Sequence, residues 1–531
     1  MRAFALVGAL VAGVGLAGPA GTAAAAEDAA VKPAVVGATP AVAWGTCSSD
    51  TLAGVPADQV QFYSCARYRV PVDHDNASLG TIDIALLKRA ARTPGKRVGS
   101  LFLNPGGPGG SGLTMPIGGQ YYFQPQVLDR FDLVGFDPRG VGESNPLRCF
   151  TTQEDADEVF GALVGVPLSR AEISGTLAGY RDYGRFCKNN AGSLLNHMST
   201  KDVVRDLDTL RAAVGDQKLS YVGFSYGTLI GSTYTSMFPK QSRAIVIDGN
   251  VDPALRTSDG VQYDRERAQG FEIALDGFLK RCDQVGAKCA FSDGNPRAKF
   301  DELREYLRKQ PITLPGADPI DISRFTGGVS SALYSPARFA GLAEDLQALY
   351  TVVHPAGAQA QTLQAKPMQA LTPGKQGRAD QNPDSPYTSD DSYFAVNCSD
   401  KPFRIRQEQV PDIAAKWERE SRTFGRYQAF SDTAACPVWP AKKPDVYRGP
   451  WRAKTDVPVV VVGNYYDPAT QYKFAQRMAA ELGNTRLLSV DAFGHCILGD
   501  ALGVDQAVAD YLTDLKVPAS GQVFQPNVQP F

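Results

Sequence analysis

YVGFSYG, residues 221–227, decides how the rest of the chain is read. Gly223 and Gly227 flank Phe224-Ser225-Tyr226 in a G-x-S-x-G pattern. An apolar run, KLSYVGF (218–224), leads into it, and TLIGSTYTSMF (228–238) continues beyond it with helical character. A strand that turns sharply into a helix leaves no room for side chains at the flanking positions. It pushes the central hydroxyl out at the C-terminal edge of a sheet. The first amides of the following helix then face any negative charge that develops there. The bare pattern is common, and its plain alternative is a glycine-flanked turn that only packs. The strand before it and the helix after it make Ser225 the candidate nucleophile.

Working outward, short apolar runs alternate with helical periodicity. VGSLFLNP (98–105) and FDLVGFDPRG (131–140) stop at turn residues, as buried parallel strands do, while GTIDIALLKRA (80–90) alternates like a strand with one exposed face. In STKDVVRDLDTLRAAVG (199–215), Val203, Val204, Leu207, Leu210 and Val214 share one helical face. Ser199 and Asp202 supply an N-cap signal and Gly215 a stop. SRAIVIDGNV (242–251) is the next strand. Alternation resumes only at DVPVVVVGNYYDP (456–468), followed by a helix at 471–483, a strand in TRLLSVDAFGH (485–495) and a last helix near 504–515. Strand–helix alternation predicts a mostly parallel α/β sheet with flanking helices. The expected organisation is a core in two parts, residues 44–252 and 452–531, interrupted by a mainly helical cap at 253–451. GKQGRADQNPDSPYTSDDS (374–392) reads as a loop inside that cap.

The N-terminus carries one charge at Arg2, an apolar run from Ala3 to about Leu16, then small residues ending Ala24-Ala25-Ala26. Residues 1–26 are therefore expected to be a secretory signal peptide. A membrane anchor is the alternative, and the run is short for it. Residues 27–43 read as a flexible leader or pro-segment. Export predicts disulfides. Of nine cysteines, consecutive pairing would join 47–65, 149–187, 282–289 and 398–436 and leave Cys496, expected to be buried. No C-x-x-C pair occurs, so no metal is expected. The formal net charge of −2 and the lack of a basic block argue against a nucleic-acid partner. No cofactor is expected, and a monomer is.

A serine hydroxyl needs a base. The chain has four histidines, His74, His197, His354 and His495. In the α/β-hydrolase arrangement the order is Ser, acid, His, which removes the first two. His354 lies in the insertion. His495 follows the strand 485–493, and Gly494 gives its loop freedom, so His495 is the candidate base. The acid is Asp467, in the loop NYYDPAT after the preceding strand, or Asp248, at the end of IVIDG. Asp467 is preferred and Asp248 stays open.

NPGGPGGSG (104–112) directly follows a core strand and offers almost nothing but backbone. No Lys-Ser/Thr follows, as a phosphate loop would need, and no dinucleotide fingerprint is complete. Acyl transfer needs two amides aimed at the developing oxyanion. One is that of Tyr226, after the nucleophile, and the other is assigned to Gly107.

NPGGPGGSG, FDPRGVGES, YVGFSYGT, YYDPAT and GHC, in this order, resemble the secreted tripeptidyl aminopeptidase group of actinobacteria, related to proline iminopeptidases. The chain is also similar to mycobacterial cell-envelope serine hydrolases of that group, some described as proteases and some as carboxylesterases. The resemblance covers nearly everything after Trp44. It implies an α/β-hydrolase core, a helical cap, a Ser225–Asp467–His495 triad and release of short peptides from free N-termini. Pro105 stands where the proline iminopeptidase pattern has His. Asp137 and Arg139 are expected to be structural, in a buried turn and ion pair. Cap carboxylates Asp390, Asp391 and Asp400 are candidates for binding the substrate's α-ammonium, with Asp400 preferred. The expected function is a secreted serine exopeptidase acting on peptide or protein N-termini. The alternative is a carboxylesterase or lipase on the same triad.

Overall fold

The computed structural model describes residues 39–314, 318–354, 371, 391–442 and 444–531. The expected signal peptide, most of the leader and Asp390 lie outside the described residues. Nine strands form one sheet: β1 Tyr63–Pro71, β2 Thr81–Arg89, β3 Gly99–Asn104, β4 Phe131–Phe136, β5 Leu219–Phe224, β6 Ser242–Asp248, β7 Val459–Tyr466, β8 Thr485–Phe493 and β9 Val523–Phe524. Their order is β1-β2-β4-β3-β5-β6-β7-β8-β9. The β1–β2 and β2–β4 pairs are antiparallel, and every later pair is parallel.

The central strands are largely apolar because both faces are covered. In β3, Leu101 and Leu103 pack with Val222, Val246 and Val460 on one face, while Phe102 packs with Tyr221, Ile245 and Val461 on the other. This is the period-two alternation of a strand buried from both sides. The helix Gly227–Met237 leaves β5 and the helix Tyr472–Leu482 leaves β7, so the loops after β3, β5, β7 and β8 gather at one edge.

Between β6 and β7 the regular elements among the described residues are helices, apart from the isolated bridge Ile312–Ile320. This stretch has its own core of Phe278, Phe300, Phe325, Leu342 and Leu346. Asp391 and Ser392, expected in a loop, instead open the helix Asp391–Asp400. The segment between β4 and β5 also joins this region. The helix Arg170–Asn190 is tied to it where the Tyr180 hydroxyl donates to the Phe430 carbonyl at 2.9 Å and Arg181 donates to Gln407 at 2.7 Å. Alternation counting assigns everything between two core strands to the core, which is why this second contribution to the roof is not visible in the periodicity.

The disulfides are Cys47–Cys65, Cys149–Cys187, Cys282–Cys289 and Cys398–Cys436, the consecutive pairs expected. Cys496 is free. No helix among the described residues is long and apolar enough to cross a membrane.

Candidate active site

Ser225 sits on the turn between β5 and the helix Gly227–Met237 with φ 55°, a left-handed conformation unusual for a residue with a side chain. Its own amide donates to the Asp248 carbonyl at 2.8 Å, which holds the turn in place. The flanking glycines are required by close approach. A Cβ at Gly223 would lie 2.4 Å from the Gly227 carbonyl, and one at Gly227 would lie 2.8 Å from Asn104 Oδ1.

His495 lies on the loop after β8. Its Nδ1 is 2.9 Å from Asp467 Oδ2 and 3.0 Å from Oδ1. Asp467 is buried, and Oδ1 accepts the amides of Ala469 (2.9 Å) and Thr470 (2.8 Å), while Oδ2 accepts the Thr470 hydroxyl at 2.9 Å. These bonds fix the carboxylate before it meets the imidazole. Ser225 and His495 line one cavity of about 620 Å³, with no direct hydrogen bond between them among the described residues.

Asp248, the other candidate acid, faces a different group. Its Oδ2 accepts the amides of Ile497 (2.8 Å) and Leu498 (2.9 Å), and Oδ1 has no partner among the described residues. It thus anchors the backbone beyond His495 from below. Burial pushes its carboxyl up to about 7, with the nearby Asp467 charge adding to the rise and the two amides opposing it. The thiol of Cys496 is also pushed well above its ordinary range by burial and by Asp248 and Asp467, so it stays protonated.

The glycine loop after β3 lies against the Ser225 turn. A Cβ at Gly106 would sit 2.4 Å from the Phe224 carbonyl and 2.9 Å from Tyr226 N. The Gly106 amide is used internally, donating to Asn104 Oδ1 at 3.0 Å. Among the described residues, neither the Gly107 nor the Tyr226 amide donates to an acceptor in the protein. Gly107 lines the cavity and Gly106 does not. Asn104, quoted in the sequence motif without a role, is the residue that separates the two glycines. Asp137 closes the far end of the loop, accepting from Ser111, Gly112 (3.0 Å) and Glu143 (2.8 Å), with burial pushing it up to about 6. Arg139 pairs with Asp206, not Asp137, through two bonds of 2.7 Å. His74 pairs with the same Asp206 at 2.8 Å, and His354 stacks on Tyr350, so neither belongs to the cavity.

The cap carboxylates are elsewhere. Asp400 is fully buried, accepts the Thr200 amide (3.0 Å) and hydroxyl (2.6 Å), and does not line the cavity. Thr200 in turn bonds the Tyr226 hydroxyl at 2.6 Å, so Asp400 braces the Tyr226 ring from behind and is not in a position to meet substrate. Asp391 accepts from the Cys149 amide at 2.8 Å and from the Tyr183 hydroxyl. A burial this complete depends on contacts some 200 positions away, which no local pattern reveals. Two wall residues had no sequence signal at all: Tyr334, whose carbonyl accepts the His495 amide at 2.9 Å, and Arg267. Among the described residues no group of three or more His, Cys, Asp or Glu is placed to hold a metal.

Residues 99–305 match the family described as alpha/beta hydrolase fold, and residues 421–523 match the family described as TAP-like protein. The chain is 32% identical to serine protease Hip1 of Mycobacterium tuberculosis, covering 90% of each chain. It is 30% identical to tripeptidyl aminopeptidase of Streptomyces lividans, covering 86% of this chain and 81% of that one. It is 31% identical to carboxylesterase B of Mycobacterium tuberculosis, covering 96% and 95%. The chain therefore belongs to the α/β-hydrolase-fold serine hydrolases that include Hip1 and the tripeptidyl aminopeptidases.

Proposed function

We propose that the chain is an exported serine exopeptidase that removes short peptides from free N-termini. The observation that carries this reading is the single cavity shared by Ser225, His495 and Gly107 and walled by both insertions, through residues such as Tyr180, Tyr334 and Tyr393. A volume of about 620 Å³ holds a ligand of a few residues and not a folded chain. His495 takes the Ser225 proton on Nε2 as Oγ attacks the scissile carbonyl. Asp467 holds Nδ1–H and stabilises the imidazolium. The Gly107 and Tyr226 amides receive the oxyanion. The imidazolium returns its proton to the leaving amine, and water then resolves the acyl-enzyme by the same steps. Relatives named serine protease and tripeptidyl aminopeptidase favour a peptide substrate. The four disulfides and the N-terminal segment 1–26 favour function outside the cytoplasm.

One observation favours a second reading, a carboxylesterase. No carboxylate lines the cavity among the described residues, so a free ammonium would meet only neutral acceptors such as Gln428 and Ser431. A panel of Ala-Ala-Pro-type chromogenic peptides, free and N-acetylated, beside short-chain esters decides between them. The exopeptidase predicts a strong preference for the free amine. Equal rates on free and blocked peptides defeat it, and turnover of esters alone supports the esterase. In Ser225→Ala, both peptide and ester turnover should vanish.

A further inference from the structure

Arg267 lies in the N-terminal part of the helix Gly260–Val285, partly buried, on the cavity wall that Ser225 and His495 share. Among the described wall residues it alone carries a permanent charge. Among the described residues it makes no ion pair. The carboxylates nearest in sequence are committed elsewhere: Asp264 to Lys401 at 2.7 Å, Glu266 to Lys473 and Arg477 at 2.9 Å, and Glu272 to Thr423 at 3.0 Å. Its neighbours in the cavity are the phenols of Tyr393 and Tyr334. Burial pushes Tyr334 up to about 12 and Tyr393 higher still, so both rings are neutral and neither supplies a counter-charge. The Asp264 charge acts on the guanidinium through space without contacting it, so the donors of the fork are not matched by a carboxylate among the described residues, and the group that matches them is a planar anion.

We infer that Arg267 recognises a carboxylate carried by the substrate, which makes acidic peptides or acidic acyl esters the preferred substrate class of this cavity. The guanidinium fork binds a carboxylate through two parallel N–H donors. The Ser330 and Ser331 hydroxyls on the same wall are further donors within the cavity. The carboxylate comes either from an Asp or Glu side chain or from the free C-terminus of a short peptide. The inference rests on the serine hydrolase reading of Ser225, and on the peptidase reading only for the choice of peptides.

The test compares matched substrates on wild type and on Arg267→Met and Arg267→Lys. One pair is p-nitrophenyl hemisuccinate against p-nitrophenyl butyrate. A second pair is tripeptide p-nitroanilides with Asp against Asn. A third is one tetrapeptide as free acid against its amide. Wild type should favour the charged member of at least one pair, and which pair responds identifies the source of the carboxylate. Arg267→Met should lower kcat/KM on the charged member by about 10- to 100-fold, mainly through KM, with the neutral member within about threefold. Arg267→Lys, a point charge without the fork, should fall between. Glutarate should inhibit butyrate hydrolysis by wild type competitively, a measurement that needs no variant. Equal wild-type rates within every pair overturn the inference, as does an equal loss on charged and neutral substrates in Arg267→Met. If peptides fail and the hemisuccinate preference is present and lost in Arg267→Met, the peptidase reading falls and Arg267 keeps its role. If neutral peptides are cut without any charge preference, the reverse holds.

Discussion

The carbonyl of Tyr334 accepts the amide N–H of His495 at 2.9 Å, and the two rings meet edge-on with centroids 5.1 Å apart. Tyr334 is the C-cap of the helix Ile322–Leu333 in the insertion, whereas His495 follows a core strand. The imidazole is thus held from three sides: Asp467 at Nδ1, Asp248 under the backbone that follows, and the insertion at its own amide. Roof and proposed base are therefore placed together.

Gly494 is where this clamp can be loosened. Its φ is +96°, and a Cβ there would lie 2.8 Å from Pro336 Cδ and 3.1 Å from the Tyr334 carbonyl. Gly494→Ala adds backbone strain and pushes the loop off the insertion. Because small misplacements of a catalytic group are costly, kcat should fall by about tenfold or more while KM changes little. Steady-state kinetics beside circular dichroism checks this. An unchanged kcat would mean that the Tyr334 contact does not position His495.

The two aspartates should separate cleanly. The Asp467 carboxylate contacts the imidazole at 2.9 Å, whereas among the described residues the Asp248 carboxylate accepts from the amides of Ile497 and Leu498. Asp467→Asn presents an amide to Nδ1 and selects the wrong tautomer, with an expected loss of about 10⁴ in kcat. Asp248→Asn keeps an oxygen acceptor for both amides, and its loss should stay within about tenfold. The reverse order of losses would make Asp248 the acid.

Asp248 also predicts a pH dependence of stability. Its folded carboxyl titrates at about 7 because burial disfavours the charge, against an ordinary value of 3.8. Between these two values the folded state binds the extra proton. Its contribution to stability is therefore fully present below about pH 4 and is lost as pH rises through about 7. Asp137, raised to about 6 by burial, acts in the same direction. Asp248→Asn removes one titrating group, so its stability relative to wild type should improve from pH 5 to pH 8. Denaturant unfolding at the two pH values measures this, and a constant difference would contradict it.

How far the sequence speaks depends on the range of the interaction that fixes each residue. The Ser225 turn is local: strand, two obligate glycines and helix lie within a dozen residues, and the pattern shows it. His495 is singled out as the candidate base because there are only four histidines and the order of elements sets the others aside. The disulfides follow the chain because consecutive cysteines sit on neighbouring elements. Asp400 was misplaced because its acidity was visible and its partner Thr200 was not. Arg267 lies in a helix and Tyr334 caps one, and the periodicity of those helices marks an inner face without saying that this face borders a cavity. The same limit hid the helix Arg170–Asn190, which reads as an ordinary crossover until its bonds to Phe430 and Gln407 are seen.

Asn104 tests the glycine loop without touching a glycine. It is fully buried, and its Oδ1 ties down the Gly106 amide at 3.0 Å, leaving Gly107 as the next amide that faces the cavity. In Asn104→Ala the Gly106 amide loses its acceptor and the loop loses its fixed register beside Tyr226. An oxyanion donor is worth about 10² to 10³ in kcat, and a displaced donor should forfeit a large part of that. Substrate binding, which does not depend on the oxyanion, should change far less. The diagnostic is a boronic acid that forms a tetrahedral adduct with Ser225. Its affinity should fall in proportion to kcat/KM across wild type and Asn104→Ala, whereas affinity for a product peptide should hold. If both affinities fall together, Asn104 shapes the whole cavity; if neither falls, the Gly107 amide is held in place without it.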